Sequence, residues 1–379
     1  MARLGLGVGL TRRGGGAAAP TISSLFAGGQ QGAWYDPSTL GTLFQDTAAA
    51  TAITSAGQSV ARVNDRSGRG NNATQATASK RPTYQTGPAR LALDKVDDEM
   101  SITVPGGWVG TMVLGTNVGT ASYEVTISAG AYVIGGHSNG DFFPGNALVG
   151  QVIRNGSLTT VEKAAVEAEM VENGAEASYG AVTNMNAFWR GWSEITVFPS
   201  IDTSSVTTMS SSWEACSRMV VMPWVDMSSN TVLGGAWFGC SALTTLPASP
   251  SLDTSSVTDM GFAFTNCNSL VTMTWLDTSS VNDIQACFSG CTSLRHFPEN
   301  FFDDVKTGDF QNTFQNTNLS TQSIDRILVS IVAANFNSGN RRFNQSGGDA
   351  PSVGVGQPAI DTLTGRGYAI TVTGGYVTP

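Results

Sequence analysis

The five cysteines and two histidines of this 379-residue chain carry most of its potential chemistry. Cys216, Cys240, Cys267 and Cys291 recur at spacings of 24, 27 and 24 residues, and Cys287 stands four residues before the last of them. A structural zinc site needs two close ligand pairs, and Cys287/Cys291 has no second pair. The periodic cysteines share their row with Trp192, which cannot bind a metal. The spacing predicts a ladder of small buried side chains. Stacked rungs would lie about 5 Å apart, within disulfide reach. In-register side chains point the same way, however, and suit the disulfide torsion poorly. Reduced cysteines are therefore expected, as in cytosolic folding.

His137 and His296 read as ordinary loop or strand residues, although sequence leaves a Ser–His–Asp arrangement around either one open. No G-x-S-x-G, P-loop or H-E-x-x-H accompanies them. Asp97-Asp98-Glu99 and Asp303-Asp304 offer neighbouring carboxylates. A glycosidase pair or a Ca²⁺ ligand set would use such groups. Adjacent strand residues usually point apart, and both clusters adjoin turn-like sequence, so they read as solvated turns. The GLGVG run near the N-terminus has no strand before it and no βαβ unit after it, so it is no dinucleotide fingerprint. No catalytic residue, metal or cofactor is expected, and the chain reads as a non-enzyme.

The elements that position these residues are visible as rows. From Val182 the sequence repeats, mostly every 24 residues. One row is Val182, Val206, Asn230, Val257, Val281; three residues on comes Met185, Met209, Leu233, Met260, Ile284. An aromatic row follows: Trp189, Trp213, Trp237, Phe264, Phe288. After the cysteine row come Ile195, Met219, Leu243, Leu270 and Leu294. Asp202, Asp226, Asp253, Asp277 and Asp303 open the turns, and Thr307, Phe310, Phe314 and Thr317 form a degenerate last unit. A three-residue insertion falls near Pro247–Pro250. A single unit cannot bury its apolar side, whereas stacked units can. Asp-Thr-Ser-Ser segments suit turns in which side chains bond nearby backbone N–H groups.

Residues outside the apolar rows are candidates for contact with a partner. Trp224 and Trp275 stand two residues before the Asp of their turns, where Ser200 and Ser251 stand in others. A position that accepts Trp and Ser is read as exposed, hence a contact candidate; partial burial under the turn is the alternative. Thr244, Thr245, Thr272, Arg295 and His296 lie between ladder positions and vary in chemistry, as a recognition face would.

Before the repeats, Met100–Val104, Thr111–Leu114, Tyr123–Ile127 and Leu148–Ile153 predict a small β domain over residues 33–180. A closing helix is expected from the capping-box pair Thr159 and Glu162, with Val161, Ala165 and Ala168 as its apolar stripe and Gly174 as its stop. After the repeats, residues 319–379 read as an α/β cap. Ser320 or Thr321 would cap a helix carrying Ile324, Ile327, Leu328, Ile331 and Val332. A short helix near Ala359–Leu363 and a strand near Tyr368–Val372 would follow. Residues 1–32 read as a flexible arm whose Leu4, Leu6, Val8 and Leu10 order only on a partner. A signal peptide is the lesser reading, because three glycines dilute its short apolar run.

Composition narrows the partners. The net charge is -9 with 44 glycines and 13 % charged residues, which disfavours nucleic acid and favours short strands and turns. No stretch reaches the roughly 20 apolar residues that span a bilayer.

The phrases DTSSVTTMSSSWEACSRM, DTSSVTDMGFAFTNCNSL and DTSSVNDIQACFSGCTSL resemble BspA-type leucine-rich repeats of bacterial and phage surface proteins, over about residues 180–320. GAWYDPSTLGTLFQDTAAATAITSAGQSVARVNDRSGRGNNATQATASKRPTY resembles a module of tailed-phage structural proteins, and LALDKVDDEMSITVP and VIRNGSLTTVEKAAVEAEM continue that similarity. In longer relatives this module surrounds a concanavalin-like β-sandwich; the middle is short here. The resemblance implies a multidomain chain. A flexible arm (1–32) precedes a mainly-β module (33–180), a leucine-rich-repeat solenoid (181–318) and a capping region (319–379). It further implies a tail fibre or related virion appendage, made in the host cytoplasm. The appendage would be homotrimeric and docked on other tail or baseplate proteins through the N-terminus. It would grip a host surface glycan or protein through the repeats, without membrane insertion. A bacterial cell-surface adhesin and a glycan-degrading tailspike are the alternatives.

Overall fold

The structure, a computed structural model, describes residues 20–374 apart from 94–97, 105, 117–119, 128, 136–146, 174, 176–181, 194, 199–201, 248–251 and 337–338. Leu4, Leu6, Val8, Leu10, Asp97, His137 and the expected helix stop Gly174 lie outside the described residues, as do Ser200 and Ser251.

The first half is built from short strands. In chain order these are β1 (Gly32–Tyr35), β2 (Leu43–Phe44), β3 (Arg62–Val63), β4 (Ala73–Thr74), β5 (Thr83–Gln85), β6 (Arg90–Ala92), β7 (Glu99–Val104), β8 (Trp108–Thr116), β9 (Thr120–Ile127), β10 (Gly130–Gly135) and β11 (Ala147–Asn155). They form two antiparallel sheets among the described residues. One has the order β9-β8-β11-β6-β5, with β1 also on β11; the other runs β10-β7-β4-β3-β2. Period-two alternation explains their stacking. Met100, Ile102 and Val104 of one sheet share a core with Met112, Leu114 and Ile153 of the other. The opposite face of the larger sheet is buried too. Trp34, Val113 and Val152 pack there against α1 (Thr160–Glu172) and the 3₁₀ turn Ile22–Phe26.

Two expectations are corrected at this layer. The Thr159–Glu162 capping box forms, but α1 buries Val166 and Met170, while Val161 is 66 % exposed. The pair at i and i+4 faces the sheet, whereas Val161 and Ala168 look outward and Ala165 is half-buried. The segment assigned to the arm is also partly structural. Thr21 caps the turn, and Ile22, Leu25 and Phe26 are buried against α1 and the sheet, so packing extends N-terminal to residue 33.

From Met185 the chain winds in successive turns. Asn184, Thr208, Val232, Asp259 and Asp283 are joined by parallel bridges, each to the next. Backbone N–H groups reach from one turn to the next, as in Trp213 N to Ala236 O at 2.8 Å and Trp237 N to Ala263 O at 2.8 Å. Inside, rings stack: Trp213 on Trp237 at 5.5 Å and 6°, Trp237 on Phe264 at 5.0 Å and 7°, and Phe264 on Phe288 at 5.7 Å and 3°. Each turn is sharp because its backbone twice enters the left-handed region. Ala187, Ser211, Gly235, Phe262, Ala286 and Asn312 do so first, and Gly191, Ala215, Gly239, Asn266, Gly290 and Asn316 second. Glycine and asparagine tolerate that conformation best.

The first turn is fused to the sheets. β12 (Ile195–Val197) pairs with β9, Tyr123 lies 5.4 Å from Trp192, and the Trp189 indole N–H reaches the Tyr123 hydroxyl at 3.4 Å. One cluster of buried apolar residues therefore runs from Ala33 to Val372. At the far end β13 (Asp309–Phe314) pairs in parallel with β14 (Arg342–Gln345), which pairs with β15 (Ala369–Thr371). Two helices, α2 (Thr321–Ala334) and α3 (Gly356–Gly365), cover this end, with Ser320 capping α2. Phe314 continues the ring stack, 5.8 Å from Phe288.

Candidate functional site

The turns expose one face whose chemistry changes from rung to rung. After each buried Met219, Leu243, Leu270 or Leu294, two residues emerge: Val220-Val221, Thr244-Thr245, Val271-Thr272 and Arg295-His296. The next residue, Met222, Leu246, Met273 or Phe297, is buried again. Much of the backbone of this face is engaged by neighbouring rungs. Val221 bridges Thr245, Thr272 bridges His296, Thr244 N donates to Val220 O at 3.0 Å, and Arg295 N donates to Val271 O at 2.9 Å. What remains for a partner is side chains.

Trp224 and Trp275 follow on the same side of their turns and are 39 % and 54 % exposed, beside Val221 at 54 % and Val271 at 45 %. Thr244, Thr245, Thr272 and His296 are exposed as well. Arg295 is committed elsewhere. Its guanidinium meets Asp349 at 3.2 Å, and its carbonyl accepts from Ser320 N and Ser323 Oγ at the start of α2. Thr244 Oγ1 donates to Val220 O at 3.1 Å. Of the residues read as contacts, Trp224, Thr245, Thr272, Trp275 and His296 thus present side chains that the rungs do not use.

A second feature lies on the αL side of the turns and was missed in sequence. A groove of about 390 Å³ is lined by Ser210, Glu214, Gly234, Asp259, Phe262 and Asp283. Phe262 is 44 % exposed at φ 59°, an unusual conformation for a bulky residue. Burial raises the Asp259 carboxyl above its ordinary value, the Gly261 N–H offsets part of this, and Asp283 adds repulsion. Glu214 is paired with Arg190 at 2.9 Å. The Asp259 and Asp283 row was legible as a repeated acid three residues before Phe262 and Ala286, but the turn phrases drew attention to the other acidic row.

That other row works locally. Asp202, Asp226 and Asp253 each accept from the backbone N–H and hydroxyl of the serine two residues on, at 2.6–3.1 Å. Serine donors hold Asp202 and Asp253 below the ordinary carboxylate range. The other acidic clusters depart from the solvated-turn reading. Asp98 is buried, Glu99 meets Lys80 at 3.2 Å, and Asp303 accepts from Ser330 Oγ at 2.5 Å.

The cysteines are structural in a way that apolar packing alone did not anticipate. Each periodic thiol donates to a carbonyl of the preceding turn: Cys216 to Trp189 O at 3.0 Å, Cys240 to Trp213 O at 3.0 Å, Cys267 to Trp237 O at 3.2 Å and Cys291 to Phe264 O at 3.0 Å. None of the five forms a disulfide, and all are buried. Burial pushes Cys291 up to about 12 and holds Cys240, Cys267 and Cys287 well above the ordinary thiol value. Thiols held protonated are poor nucleophiles and poor metal ligands. No group of three or more His, Cys, Asp or Glu side chains is placed to share a metal among the described residues.

Comparison with known proteins bears on residues 236–348, which match a family model described as Mycoplasma protein of unknown function, DUF285. No curated protein and no solved structure matches the chain. The resemblance to BspA-type leucine-rich repeats and to tailed-phage structural proteins is thereby corrected, because the matched family is a different one. The geometry gives a reason. Leucine-rich units contribute a β-strand each, whereas among the described residues no strand lies between Ile195–Val197 and Asp309–Phe314, and the turns there are joined by isolated bridges and separate backbone hydrogen bonds. Their inner rows also rely on Trp, Phe, Met and Cys as much as on Leu.

Proposed function

We propose that this chain is a non-enzymatic binding protein that grips a surface through the outward face around Trp224 and Trp275. The observation that supports this is the exposure of two indoles on turns whose backbones are largely hydrogen-bonded to one another. Large aromatic side chains supply much contact energy at low conformational cost. A rigid stack underneath means little ordering is needed on binding.

The test is adsorption of labelled full-length protein to a panel of whole bacterial cells. Trp224→Ala with Trp275→Ala should reduce adsorption at least tenfold while the thermal transition holds. Unchanged adsorption would remove this face from consideration. A glycan-degrading enzyme is the second reading, and release of reducing ends from purified cell-surface polysaccharide would establish it. Fractionation into particles, cell envelope and soluble phase decides the setting. Avidity from a homotrimer joined through the N-terminal third would strengthen a weak contact. Light scattering reads that state directly, and a monomer at micromolar concentration excludes it.

A further inference from the structure

The partner's chemistry can be narrowed, on the premise that the face around Trp224 and Trp275 is the binding face. We infer that it takes an extended, uncharged glycan. The first argument is charge. The chain carries a net charge of -9. Yet the exposed pairs Val220-Val221, Thr244-Thr245 and Val271-Thr272 hold no ionisable side chain, and neither do Trp224 and Trp275. The nearby carboxylates are engaged in their own turns or line the other side: Asp202, Asp226, Asp253 and Asp277 accept from the N–H of the serine two residues on, and Asp259 and Asp283 line the groove on the αL side. A cationic partner finds no counter-charge on this face. An acidic one finds only His296, because Arg295 is paired with Asp349.

The second argument is the kind of contact left open. An extended peptide recognised by strand addition needs free backbone donors and acceptors. Here Val221 is bridged to Thr245 and Thr272 to His296, which closes two of the three seams of the face; the seam between Thr245 and Thr272 carries no such bridge, so it alone could take an added strand. A sugar ring presents C–H groups on its face and hydroxyls on its edge. The indoles of Trp224 and Trp275 match the first, and the hydroxyls of Thr245 and Thr272 match the second.

The third argument is spacing. Trp224 and Trp275 belong to turns two apart, and neighbouring rings inside the stack are separated by 5.5 Å and 5.0 Å. At roughly 5 Å per rung, two rungs would set the indoles about 10 Å apart along the stack. In an extended β-linked chain, alternate sugars turn the same face toward one side at a similar repeat. Two rings would bind one chain together, each reinforcing the other.

The experiment uses full-length protein on an array of immobilised neutral and acidic polysaccharides, with a soluble oligosaccharide series of two to six units from any glycan that is retained. The expected result is retention on neutral glycans. Affinity should rise at least tenfold once the oligosaccharide reaches both rings. Trp224→Ala and Trp275→Ala should each cost about tenfold, and Trp224→Phe or Trp275→Phe less. Retention on acidic glycans alone, or none on any, overturns the glycan inference. In that event, tryptophan-dependent adsorption to cells that protease treatment abolishes would leave the binding face standing with a protein partner. Adsorption that ignores both tryptophans would sink the face itself.

Discussion

The inside and the outside of the turns obey opposite rules. Inward, Trp189, Trp213, Trp237, Phe264 and Phe288 repeat one kind of side chain, and the four periodic cysteines repeat another. Outward, the equivalent places hold Val221, Thr245, Thr272 and His296, which change from apolar to hydroxyl to imidazole. A core position must match the rung above and below in shape, since interiors are packed like crystals. An outward position has water on one side, and its neighbours constrain only its backbone. Variation confined to one face therefore marks where function is free to act.

The sharpest way to break this contrast is to put a charge inside. Cys240→Asp places a carboxylate in the buried ladder, against Trp213 O, where an unpaired charge costs several kcal/mol or more. Loss of the cooperative thermal transition is expected. Cys240→Ala removes one thiol donor and a small volume, at about 1–2 kcal/mol. A folded, stable Cys240→Asp protein would show that the row is wet. Burial of all five thiols, the four of the row and Cys287, predicts that they resist alkylation in the native protein and react after denaturation.

Next in size is a matched pair of truncations. Trp237 lies between Trp213 and Phe264, so Trp237→Ala should cost about 3–5 kcal/mol. Trp224→Ala, on the outside, should stay within about 0.5 kcal/mol. Chemical denaturation reads both, and similar losses would erase the distinction between core and contact tryptophans. Trp237→Phe sharpens the point. The Trp237 indole N–H has no partner, and Phe264 already fills the next rung, so that change should be mild.

What the sequence disclosed follows from the same contrast. The inner rows were legible because repetition every 24 residues reports a shared environment. The exposure of Trp224 and Trp275 was legible because Ser stands at equivalent places. The buried side of α1 was not, since the partner that selects Val166 and Met170 over Val161 is the distant β-sheet. The thiol donors of the cysteine row depend on a carbonyl one turn away. The phrase that begins Asp-Thr-Ser-Ser misled. Its Asp and Ser close a turn by local hydrogen bonds, so it reports turn chemistry, which unrelated chains share.

A smaller effect, of opposite sign, comes from the one polar residue in the valine row. Asn230 is fully buried between the rungs of Val206 and Val257, and neither end of its amide has a partner. An unsatisfied buried polar group costs about 1–3 kcal/mol. Asn230→Val should therefore raise the melting temperature. A fall would mean that the amide holds a water or a backbone group worth more than that penalty.

The smallest effect compares two aspartates on different faces of the stack. Burial and Asp283 raise the folded value of Asp259, so its charge opposes folding. That cost is complete above the raised value and disappears as the pH falls to the ordinary carboxylate range. Asp253 is the reverse. Its serine donors lower the folded value, so its contribution is present above the ordinary range and is lost as the pH falls through the lowered one. Asp259→Asn should raise the melting temperature at neutral pH, and Asp253→Asn should lower it, each by a small amount because both carboxylates meet solvent. Both differences should fade in acid, the first as Asp259 takes up its proton and the second only at lower pH. Melting temperatures of the two variants and the parent from pH 7 to pH 3 give the comparison. If Asp259→Asn destabilises at neutral pH, the Asp259 carboxylate is a capping acceptor for Gly261 N first and a buried charge second.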